Sequence, residues 1–117
     1  MLGKLGFKLG LLGIALALPA LAADQSSISG YVRSASGVPQ MGAMVEVLGS
    51  ASRTLKVFTD ENGFYSATGL LPGTYTVKAY SPSFLPSLRE RIGLRPGSSV
   101  LVNIKLSGLF DSIQLPP

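Results

Sequence analysis

From Ser27 to Leu106 the chain alternates apolar and polar residues with a period of two, in short segments each closed by Gly or Pro. Two is the period of a strand, and segments this short leave no room for an amphipathic helix, so the chain is confined to all-β architectures. Ile28, Gly30 and Val32 alternate with Ser29, Tyr31 and Arg33. Ala43, Val45 and Val47 share one face of a second strand from Ala43 to Leu48. Leu55 to Thr59 and Phe64 to Thr68 make a third and a fourth. Asp60-Glu61-Asn62-Gly63 joins them as a tight turn in which Asp60 accepts backbone hydrogens and Gly63 takes positive φ.

Leu70-Leu71-Pro72-Gly73 reads as a type II turn, with Pro fixing φ and Gly after it. Thr74 to Tyr80 follows as the strongest strand, with Tyr75, Val77 and Ala79 facing one way and Thr74, Thr76, Lys78 and Tyr80 the other. Leu88 to Leu94 is an edge strand, and Val100, Val102, Ile104 and Leu106 form a last inward row. Seven short strands suffice for a Greek-key-type β-sandwich with one core between two sheets. The alternation around Arg89, Glu90 and Arg91 reads as the solvent face of the edge strand, and Arg95 completes the one basic cluster.

The front of the chain has a different character. Lys4 and Lys8 precede the run Leu9 to Leu18, Pro19 ends it, and Ala20-Leu21-Ala22 has the small-x-small form read by a signal peptidase. Residues 1–22 are therefore expected to be a cleaved signal peptide, with Ala23 or Asp24 as the new N-terminus. The run falls short of the roughly 20 apolar residues that span a bilayer, so no membrane span is expected to remain. No Cys follows it to accept a lipid. The product is expected in the periplasm, associated with the outer membrane, or outside the cell. Without residues 1–22 the chain keeps eight basic and six acidic side chains, a net charge of +2, and the basic residues are scattered. That does not describe a nucleic-acid surface.

Composition removes most chemistry. There is no Cys and no His, hence no thiol nucleophile, imidazole base, disulfide or Cys/His zinc site. With 117 residues, one domain is the limit. No catalytic residue, cofactor site or metal site is expected. Asp60, Glu61 and Asn62 lack the spaced acids of a calcium loop and read as an ordinary Asx turn. Glu46 alternates with Val45 and Val47 and reads as solvent face.

Ile28-Ser29-Gly30-Tyr31-Val32, then Pro39-Gln40-Met41-Gly42-Ala43 with Val45 and Val47, then Thr59-Asp60-Glu61-Asn62-Gly63-Phe64-Tyr65, then Leu70-Leu71-Pro72-Gly73-Thr74-Tyr75-Thr76-Val77, together resemble the carboxypeptidase regulatory-like domain family. The resemblance covers Ser27 to Leu106. It implies a seven-stranded sandwich of the transthyretin or prealbumin type, often grouped with carbohydrate-binding-like folds. Such domains commonly lie beside a zinc carboxypeptidase or at the front of bacterial outer-membrane receptors and surface proteins. It also implies a scaffold, since the peptidase activity in the family's name belongs to a separate domain. In this reading Gly30 leaves room at a crowded contact, Gly63 and Gly73 serve turns, and Tyr75 carries its ring into the core.

Two functions remain. One is a structural or protein-interaction module at the bacterial cell envelope, with residues 107–117 as a tail or linker whose apolar Leu109, Phe110, Ile113 and Leu115 meet a partner. The other is a carbohydrate-binding module stacking sugars on outward-pointing Tyr31, Tyr80 and Phe84, without the help of Trp. A cell-envelope protein or glycan is thus the expected partner.

Overall fold

The period-two segments pair into eight strands in the computed structural model, which describes residues 25–50 and 53–109. They are β1 Ser26–Ser34, β2 Met44–Gly49, β3 Leu55–Phe58, β4 Phe64–Leu70, β5 Gly73–Tyr80, β6 Ser87–Leu94, β7 Ser99–Leu101 and β8 Ile104–Leu106. The signal peptide read over residues 1–22 and the tail from residue 110 onward lie outside the described residues. Among the described residues no helix is long and apolar enough to cross a membrane.

One sheet runs β4-β1-β7, with β8 also on β1, and the other runs β3-β2-β5-β6. The chain is an all-β sandwich in which each sheet contributes its buried set. Ile28 and Val32 come from β1, Val45 and Val47 from β2, Tyr65 and Ala67 from β4, and Val77 and Ala79 from β5, all nearly inaccessible. Fully burying a Val, Ile or Leu side chain contributes about 1.5–3 kcal/mol, so alternation alone accounts for the driving force.

The last strand departs from the expected single row. Residues 99–101 and 104–106 both pair in parallel with β1 at the same register, Ile28 with Val100 and Val32 with Ile104. Between them the ladder breaks. The Val102 carbonyl lies over Gly30 and accepts the Tyr65 hydroxyl at 2.6 Å, while the Tyr31 N–H donates to Asn103 Oδ1 at 2.9 Å. A side-chain amide oxygen thus stands in for a backbone acceptor. Val102, Ile104 and Leu106 stay buried across the interruption, which is why eight strands arise from a pattern that reads as seven.

The β3–β4 turn forms as its residues dictate. Asp60 Oδ1 accepts from the backbone N–H groups of Asn62 and Phe64, both at 2.9 Å, and Gly63 has φ 76°. Two amides on one carboxylate make this the Asx turn. Replacing Asp60 by Ala should cost about 1–2 kcal/mol in a denaturant titration, and Asp60→Asn distinctly less because an amide oxygen still accepts. Equal losses for the two variants would show that the carboxylate does not organise the turn.

The Leu70–Gly73 turn is not type II. Gly73 has φ 153°, far from the roughly +80° that geometry needs, and Gly69 is left-handed at 68°. β4 runs on to Leu70, whose side chain is buried, and β5 already begins at Gly73, so Leu71 and Pro72 alone join them.

β6 is the edge strand expected, and its Arg89, Glu90 and Arg91 are exposed, but its alternation is interrupted. Tyr75 pairs with Ile92 and Val77 with Arg89, so two residues of β6 oppose Thr76, and Arg91 has φ 57°. This bulge shifts the register by one. Arg89 therefore pairs with Val77 yet stays exposed, as Glu90 and Arg91 do, and its Nη1 donates to the Asn103 carbonyl at 3.0 Å. A bulge and charged side chains on an edge strand are two devices that keep an edge from pairing with another chain.

Candidate functional site

Once one residue in two is buried, the other set is presented on a flat outer face, and strand register decides which side chains become neighbours. On the second sheet Met44 pairs with Phe58 on one side and Tyr80 on the other. Phe58, Met44 and Tyr80 thus form a row across β3, β2 and β5 that spans about 10 Å. Phe58 is 65% exposed, and Met44 and Tyr80 are half-buried. The parallel row is charged, with Glu46 between Lys56 and Lys78, and Leu88 follows at the edge. The Lys78 ammonium sits 5.4 Å from the centre of the Tyr80 ring. Hydrogen bonding to the Tyr80 oxygen, with the Glu46 carboxylate a lesser contributor, raises Lys78 above its ordinary pKa. The result is an apolar row bordered by charge on a sheet whose other face carries the core residues Val45, Val47, Val77 and Ala79.

The three rings read as sugar-stacking residues do not share a surface. Tyr31 lies on the outer face of the first sheet, on the opposite side of the sandwich from Tyr80. Its ring is 5.2 Å from that of Phe64, and the Arg33 guanidinium sits 4.6 Å over it. Phe84 is not outward-pointing. It bridges Gly108 in the loop after β5 and packs against the core, because the backbone of residues 107–109 runs beside Ser83 to Leu85. Tyr80 alone of the three belongs to a continuous exposed row.

Phe58 and Met44 escape a reading made strand by strand. Their parity is legible, since Leu55 and Val57 face in and leave Phe58 out, as Val45 and Val47 do for Met44. Their adjacency depends on β3-β2-β5 pairing. Among the described residues no group of three or more His, Cys, Asp or Glu side chains converges.

Residues 27–107 match the carboxypeptidase regulatory-like domain family. No curated protein sequence matches the chain. Similar solved structures include the Bacillus anthracis TIE protein, 19% identical with a TM-score of 0.62, where the match covers 73% of this chain and 17% of that one. A type II cohesin–X-dockerin complex from Acetivibrio cellulolyticus matches at 20% identity and a TM-score of 0.57, over 75% of this chain and 61% of that one. The dioxygenase domain of a dioxygenase carbohydrate-binding protein fusion from Streptomyces sp. SirexAA-E matches at 16% identity and a TM-score of 0.56, over 74% and 81%. At such identities the likeness is one of fold. This chain spans less than a fifth of the TIE protein chain and under two thirds of the cohesin–dockerin one.

Proposed function

Since the chain belongs to the carboxypeptidase regulatory-like domain family, we propose that it is an exported, non-catalytic interaction module of the bacterial cell envelope, which binds a partner protein through the outer face of its second sheet. The observation that carries this reading is the Phe58–Met44–Tyr80 row. An aromatic, a thioether and a second aromatic in line, with Lys56, Glu46 and Lys78 beside them, have the make-up of an interface centre with a polar border. Export is supported by the Lys-flanked apolar run ending at Ala20-Leu21-Ala22. The packed inner face supports a scaffold role, because it leaves the sheet rigid.

Expression of the full chain in a secretion-competent bacterium tests both halves. Intact mass is expected to place the N-terminus at Ala23 or Asp24. In-cell cross-linking is expected to join the protein to an envelope protein, and the joint Phe58→Ser/Tyr80→Ser variant is expected to lose that product. Both side chains are partly or largely exposed, so Tyr80→Ala alone should leave stability within about 0.5 kcal/mol. A retained Met1, or cross-linking indifferent to the row, would overturn the proposal. A carbohydrate-binding reading has support in the two rings of the same row, Phe58 and Tyr80. Glycan-array binding abolished by Tyr80→Ala at unchanged stability would select it instead.

A further inference from the structure

The first sheet presents a second surface, independent of the apolar row. Where β8 joins β1, Arg33 and Lys105 are direct cross-strand partners on the outer face, about 5 Å apart in the ladder. Like charges set side by side cost free energy unless a counter-charge relieves them. Arg89 enters the same groove from the edge of the other sheet, held by its bond to the Asn103 carbonyl. Three cations therefore converge from three strands on an open groove of about 500 Å³, and no carboxylate lines it.

The groove is shaped before any ligand arrives. The Arg33 guanidinium sits 4.6 Å over the Tyr31 ring, whose face attracts it. One of the five donors of Arg89 is spent on Asn103, which anchors the fork and leaves its other donors to a ligand. Between the cations the wall is neutral and polar, with the hydroxyls of Tyr31 and Ser34. None of the exposed large apolar side chains lies in it, and Ile104 is turned into the core.

We infer that this groove, built by Arg33, Lys105 and Arg89 around Tyr31, binds an acidic polysaccharide that carries carboxylates on its sugars. Guanidinium forks match planar carboxylates in a bidentate manner, and the intervening hydroxyls match the sugar hydroxyls. The groove is open to solvent, so a polymer can reach it. An acidic protein segment fits less well, because protein partners gain their affinity by burying apolar anchors and the groove has no pocket for one.

Calorimetric titration of the protein purified from cells expressing the full chain, at physiological ionic strength, tests the inference with polygalacturonate, neutral dextran and polyglutamate as probes. Saturable binding of polygalacturonate is expected, with no heat from dextran and markedly weaker binding of polyglutamate. The Arg33→Gln/Lys105→Gln variant changes two exposed side chains and removes their repulsion, so its thermal transition should match or exceed the wild type while its affinity for polygalacturonate falls about tenfold or more. The Phe58→Ser/Tyr80→Ser variant should bind as the wild type does, which separates this groove from the apolar row. No saturable binding of polygalacturonate would overturn the inference, as would an affinity the double substitution leaves unchanged. Polyglutamate binding as tight as polygalacturonate would reassign the groove to acidic protein segments and overturn it equally.

Discussion

Gly30→Ala is expected to abolish the folded state or to cost upward of about 4 kcal/mol, a loss that few single substitutions reach. A Cβ at residue 30 would stand 2.0 Å from the Val102 carbonyl oxygen and 2.6 Å from its carbon. Both atoms are backbone, so no rotamer change relieves the clash. Moving Val102 away would strain the 2.7 Å bond from its N–H to the Ser29 carbonyl and the 2.6 Å bond its own carbonyl accepts from Tyr65. The control is Gly93→Ala on the edge strand, where a Cβ meets nothing within 4 Å. That change should be neutral within about 0.5 kcal/mol or slightly stabilising, as Ala is less costly to order than Gly. Urea titrations of the two variants check the pair. A Gly30→Ala protein as stable as Gly93→Ala would mean that β1 and the β7–β8 junction do not meet as described.

How much of this was legible beforehand depends on the range of the interaction. Strands and their inward sets follow from local alternation, and the Asp60–Gly63 turn follows from one carboxylate and one glycine a few residues apart. Gly30 stood out as a small residue in an apolar row, so a crowded contact there was readable, although its partner was not. The break at Val102–Asn103 left no trace, because residues 100, 102, 104 and 106 stay apolar and buried or half-buried through it. A carbonyl rotated out of a ladder does not alter the period. The pairing of Arg89 with Val77 was hidden for the opposite reason: one bulge residue reverses every later parity, and Arg-Glu-Arg looks the same on either side of it. The surface features were the least legible. Phe58–Met44–Tyr80 and Arg33–Lys105 are rows across strands, fixed by pairings between residues distant in sequence. Tyr31, Tyr80 and Phe84 read as outward-pointing rings, but Tyr31 and Tyr80 lie on opposite sheets and Phe84 packs on the core.

Tyr65 carries the second large effect. It is the largest of the fully buried side chains, and its hydroxyl is the partner of the Val102 carbonyl in the packed interior. Tyr65→Ala removes the ring and strands that carbonyl, so a loss of about 3–5 kcal/mol is expected from the cavity and lost burial, with the unpaired acceptor adding to it. Total stability for such a domain is about 5–15 kcal/mol, which leaves this variant marginal at best. Tyr65→Phe keeps the ring and isolates the bond, for a loss of about 1–3 kcal/mol. The two variants also differ from the wild type in their response to alkali. Burial pushes the Tyr65 phenol well above its ordinary value of 10.0, and the Arg89 guanidinium offsets only part of that rise. The folded protein therefore holds the proton after the unfolded chain has released it. The contribution is whole below pH 10 and is lost as pH climbs from there toward the folded value. Phenylalanine has nothing to release, so the stability gap between wild type and Tyr65→Phe should be constant at neutral pH and narrow above pH 10. A gap that stays constant into strong alkali would show that the phenol is reached by solvent, and with it that the Gly30–Val102–Tyr65 contact is not closed.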